Sequence, residues 1–107
     1  MPMKNPPHPG RTVKGALDEL DLSTAQAADA MGITRNTLHR IVTEKSGITA
    51  DMAVRLEAVI GSSADHWLRR QAAYDLAQVK NDEDHPARKL KRIPVPKTPK
   101  PDQPRLV

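Results

Sequence analysis

The chain has 107 residues, no cysteine and a formal net charge of +4, with a pI near 9.7. One domain is expected at this length, and disulfides and thiolate metal sites are excluded. No apolar run approaches the roughly 18 residues of a membrane span, and the start, MPMKNPPHPG, lacks the apolar stretch of a secretory signal, so a cytoplasmic protein with no membrane partner is expected.

The interior must be aliphatic and alanine-rich, because the chain has no Phe, one Trp and one Tyr. Each buried Leu, Ile, Val or Met contributes ~1.5–3 kcal/mol, against roughly 1–2 kcal/mol of backbone entropy per ordered residue. A folded part of about 75 residues is marginal alone, and dimerisation would help it. The charge is unevenly placed. Residues 1–84 hold ten Lys/Arg and twelve Asp/Glu, a net −2, and residues 85–107 hold seven Lys/Arg and one Asp, a net +6. The basic pI therefore belongs to the tail, and attraction to DNA in the core has to come from local clusters.

In chain order, residues 1–9 read as an extended or poorly ordered arm, with three prolines among the first eight residues and no periodicity. Pro9 and Gly10 lead into a first helix over residues 10–21, whose buried stripe is Val13, Leu17 and Leu20. Ser23 N-caps a second helix, and Gln26 three residues on completes a capping box. Gly32 stops it, since glycine adopts a left-handed backbone without a Cβ clash. Thr34 caps a third helix running to Ile41. Ala28 is small enough for the two helices to cross closely. Ala27, Met31, Ile33, Leu38 and Ile41 fall on the buried sides. Arg35, Asn36, Thr37, His39 and Arg40 remain outward, a set suited to reading base edges in a major groove. An ordinary helical hairpin also carries a glycine, but small residue, glycine and apolar residues at these offsets, with both caps, are more specific to a helix-turn-helix.

Ser46–Gly47 marks a turn, and Ile48 is buried just before Thr49, which caps a fourth helix with Met52, Leu56, Val59 and Ile60 as its apolar face and Ala53 beside them. Gly61 ends it. Ser62 or Ser63 caps a fifth helix containing Trp67, Leu68, Ala72, Leu76 and Val79, which runs out around residues 80–82. From His85 onward six prolines and seven basic residues favour an extended tail over a packed fold. The expected fold is all-α: a five-helix, phage-repressor-like domain over residues 10–82, with a disordered or extended basic tail over residues 83–107.

The segments NPPHPG (5–10), LSTAQAADAMGITRNTLHRI (22–41), GITADMAVRLE (47–57) and WLRRQAAYDL (67–76), in this order, resemble the HigA family of antitoxins within the Xre-like class of helix-turn-helix repressors. The second segment alone marks only a phage-repressor-like domain; the other three narrow it. Arg11 stands where the family often has an acidic residue, and the resemblance does not reach the tail. It implies a homodimer on a palindromic operator. It also implies a partner, a small HigB-like toxin of the RelE type, an mRNA endonuclease that the antitoxin holds inactive while the complex represses its own operon.

The resemblance places the N-terminal half of the third helix in the major groove. There Arg35 is suited to pair bidentately with guanine and Asn36 with adenine. Arg40, one turn beyond Asn36 on the same face, reaches a base or a phosphate, and Thr37 a thymine methyl or a phosphate. Backbone N–H groups at Thr24 and Ala25 suit a phosphate oxygen, and Lys45 and Ser46 are candidate backbone clamps. His39 is either a phosphate donor or a solvated side chain. A dimer would read half-sites ~34 Å apart. Its seam is expected on the fifth helix, through Tyr74, Leu76 and Val79, whereas Trp67 closes the monomer core.

Catalytic chemistry is not expected. His8, His39, His66 and His85 form no i, i+4 metal pair. Asp18 with Glu19, and Asp82 to Asp84, read as solvated charge, and no cofactor motif is present. In the tail, Arg88, Lys89, Lys91 and Arg92 suit nonspecific contact with phosphates, an acidic partner surface, or simply solubility. A stand-alone repressor without a toxin, and an interaction module that no longer reads DNA, are the competing functions.

Overall fold

The computed structural model describes residues 5–95. Within them the chain forms five helices: α1 Pro9–Glu19, α2 Thr24–Met31, α3 Arg35–Val42, α4 Ala50–Val59 and α5 Ala64–Lys80, followed by a 3-10 turn at Pro86–Lys89. Each helix starts at a side-chain cap of the kind that satisfies an otherwise orphaned N–H. Ser23, Thr34, Thr49 and Ser63 accept from the backbone N–H three residues on, and His8 accepts from Gly10 N. The Ser23–Gln26 box closes in both directions.

One core joins all five helices: Val13 and Leu17, Ala27, Ala28 and Met31, Leu38 and Ile41, Ile48, then Met52, Ala53, Leu56 and Trp67. Helix α3 packs on α1 and α2, and α4 links α2 to α5. Three alanines, Ala27, Ala28 and Ala53, are almost completely covered; larger side chains there would push the helices apart. Trp67 is 2% exposed and donates its indole N–H to the Gly61 carbonyl at 3.0 Å, so it closes the monomer core as expected.

Two expectations are corrected at α1. The arm expected over residues 1–9 ends earlier: His8 is buried and caps α1, and Pro9 is its first residue, where a missing N–H costs nothing. Leu20, expected in the buried stripe, is 50% exposed. The helix stops at Glu19, and the chain reverses through Asp21 at φ 56°. Leu22 N then bonds to Leu17 O, and Leu22 packs against the core in place of Leu20. Ile33, Val59 and Ile60 are only partly buried, at the core's margin. The cap left open between two serines is Ser63.

Candidate DNA interface

The outward set on α3 is outward in the fold. Leu38 and Ile41 are 0% and 2% exposed; at about 100° per residue Asn36, His39 and Arg40 point away from them and Arg35 and Thr37 flank them, and all five are exposed. Helix α3 carries no acidic residue in a core of net negative charge. Glu44, the nearest acid beyond it in sequence, is paired with Arg11 at 3.4 Å. Among the described residues, the side chains of Arg35, Asn36, Arg40 and Lys45 have no hydrogen-bond or ionic partner, so their donors are open to a ligand. Thr37 is tied to the cap, its hydroxyl 2.7 Å from that of Thr34.

Thr24 sits half-buried at the start of α2. The capping box uses Ser23 N and Gln26 N, which leaves the N–H groups of Thr24 and Ala25 without intrahelical acceptors. At the other end of α3 the chain turns through Glu44 at φ 64°. Lys45 N and Ser46 N both donate to Arg40 O, at 2.8 and 3.1 Å. The clamp expected there therefore has to work through the Lys45 ammonium and the Ser46 hydroxyl, since both amides are already used.

Side chains that sequence reasoning did not single out hold this surface in place. Gln71 of α5 accepts from Ile48 N at 2.7 Å and donates to Asp75 at 2.9 Å, bracing the α3–α4 loop. Gly47 lies so close to the Gln71 amide that a Cβ would crowd it. Arg55 donates to Met31 O at 2.7 Å and to Asp51 at 2.9 Å, tying the turn of the motif to α4. His8 stacks edge-on against Tyr74 with ring centroids 4.8 Å apart. The His-Pro-Gly run was the available signal for His8, since a side-chain acceptor just before a helical proline is a cap. Gln71 and Arg55 act across 23 and 24 residues and leave no local pattern.

Of the three residues expected at a dimer seam, Leu76 and Val79 are 53% and 47% exposed on the outer half of α5. Tyr74 lies about 200° around the helix from Leu76 and is half-buried on its own His8.

A helix-turn-helix family model, HTH_3, matches residues 13–67. Virulence-associated protein A′ of Dichelobacter nodosus is 47% identical over 78 residues, which are 72% of this chain and 68% of that protein. A Pseudomonas aeruginosa antitoxin HigA, solved with the higBA promoter, is 40% identical with a TM-score of 0.67; the match covers 69% of this chain and 82% of that one. An addiction-module antidote protein of the HigA family from Coxiella burnetii is 31% identical with a TM-score of 0.75, over 83% of this chain and 99% of that one. A motif match over most of the folded core, together with this similarity beyond the motif, makes the chain a member of the Xre-like helix-turn-helix family, in its HigA-type branch.

Proposed function

We propose that this chain is the antitoxin of a type II toxin–antitoxin pair. It binds a palindromic operator as a homodimer, represses its own operon, and holds a HigB-like, RelE-type mRNA endonuclease inactive. The observation that carries the DNA half of this reading is the exposed, acid-free face of α3, with Arg35, Asn36 and Arg40 free of internal partners among the described residues. Arg35 and Asn36, next to the cap, address bases; Arg40, Lys45, Ser46 and the Thr24 amide address the backbone; Thr37 and His39 flank them. The toxin half is supported by the HigA antitoxins among the similar proteins. A dimer is supported by Leu76 and Val79, apolar side chains left in solvent at the end of α5.

The test is co-purification with the product of the adjacent gene, followed by footprinting of the shared promoter. The expected result is a stable complex, rescue of growth on co-expression, and a symmetric footprint with half-sites one helical turn apart. A footprint without a growth-inhibiting neighbour would make the chain a stand-alone repressor. Absence of any footprint would remove the DNA reading.

A further inference from the structure

We propose that the segment after α5, beginning at the 3-10 turn Pro86–Lys89, is a second DNA-contacting element. It acts as an arm that grips duplex phosphates outside the half-site without reading sequence. The inference rests on the proposed operator binding by α3, and four observations carry it.

The arm is anchored. His85 Nδ1 accepts from Ala87 N at 3.0 Å, which caps the turn. Arg88 Nε donates to Asp82 O at 2.8 Å, and its Nη2 donates to Lys80 O. Carbonyls at the end of a helix lack intrahelical donors, so Arg88 closes the end of α5 and fixes where the next stretch of chain departs.

The cations past the anchor are unspent. Lys89, Lys91 and Arg92 are exposed and have no ionic or hydrogen-bond partner among the described residues. Asp82, Glu83 and Asp84 stand just before the turn, yet none of them pairs with these three.

The charge is where a polyanion-binding protein needs it. Residues 1–84 have a net −2, and residues 85–107 have +6 with no Phe, Trp or Tyr. Lys/Arg attraction to phosphates is sequence-independent and long-ranged. Protein-binding hot spots are enriched in Trp, Tyr and Arg; of these the segment has only Arg, which also serves phosphate binding. Leu90, Ile93 and Val95 are exposed, the feature that a protein surface would use if it, and not DNA, took this segment.

The position is suitable. Tyr74 lines the same open pocket as Lys45 and Ser46, the backbone clamp. Asn81, the C-cap of α5, lies seven residues further along the helix, about 10 Å at 1.5 Å per residue. That is roughly one screening length at physiological salt. Residues 89–95 alone span about 20 Å of chain at roughly 3.3 Å per residue.

The experiment compares the full chain with the triple variant Lys89→Gln, Lys91→Gln, Arg92→Gln, leaving Arg88 in place. Two 40-base-pair duplexes serve as probes, one from the chain's own promoter and one of random sequence. Affinity is read from 50 to 200 mM salt. The triple variant is expected to keep its helical circular dichroism and its preference for promoter over random DNA. Its salt slope should fall by about 2.7 units per engaged arm, at ~0.9 per charge, so the native chain loses roughly forty-fold more affinity across that salt range. Equal slopes for native and variant chains would overturn the arm while leaving the operator reading intact. A native chain that does not prefer its promoter would remove the operator reading instead. Unchanged DNA binding with lost capture of the adjacent gene's product would make the segment a protein-docking arm and overturn the proposal.

Discussion

At the scale of single residues, exposure and partnering separate what is spent on the fold from what is offered outward. Trp67, Arg55, Gln71 and His8 spend polar groups on hydrogen bonds within the fold. Arg35, Asn36, Arg40 and Lys45 are polar groups turned outward without partners among the described residues. A bidentate arginine–guanine contact is worth ~1–3 kcal/mol of discrimination. Arg35→Ala should therefore weaken operator binding by about that amount and relax base preference at one position of each half-site, as read by titrating operator variants. Unchanged binding would mean that the register of α3 has been misassigned. Lys45→Ala should behave differently, weakening every sequence alike and lowering the salt slope by about one unit. A loss confined to the operator sequence would place Lys45 at a base.

At the scale of elements, the starts and stops of the helices follow different rules. The starts are local: a hydroxyl or imidazole accepts from an amide two or three residues away. The stops are not. Helices α1, α2 and α3 all end with paired bonds from a left-handed residue and the one after it: Asp21 and Leu22, Gly32 and Ile33, Glu44 and Lys45. Each needs a left-handed residue, at φ 56°, 70° and 64°. Only the second has the glycine that marks such a stop in sequence; Asp21 and Glu44 are held there by the packing of the residues after them. Leu22 must reach the core, and the α3–α4 loop must reach Gln71. Close approach at Gly10 is a further constraint at this scale. A Cβ there would run into the Ile41 carbonyl of α3, a backbone atom with no room to move. Gly10→Ala should thus destabilise by at least the ~1–3 kcal/mol typical of overpacking, lowering the urea midpoint at constant slope. An unchanged midpoint would show that α1 and α3 do not meet there in solution.

At the scale of the whole molecule, α5 carries apolar side chains beyond the packed domain. Leu76 and Val79 sit at about half exposure on one stripe, where a second copy would cover them. Leu76→Asp with Val79→Asp should convert a dimer to a monomer in sedimentation and lower the melting temperature. A dimer that survives both changes would place the seam elsewhere.

The order of residues specifies the number of helices, four of the five N-caps by name or by choice between neighbours, the Gly32 stop and the outward face of α3. All of these rest on interactions within one turn or on the 3.6-residue period, and both are written along the chain. Packing in three dimensions puts Leu22 in the core in place of Leu20, buries His8 beside Tyr74, and sets Gln71 and Arg55 to brace the two loops of the motif. The turn at Glu44 likewise commits the Lys45 and Ser46 amides to Arg40 O. Those outcomes depend on contacts between residues tens of positions apart, or on a left-handed turn at a residue that does not favour one. Neither leaves a pattern in the order of residues.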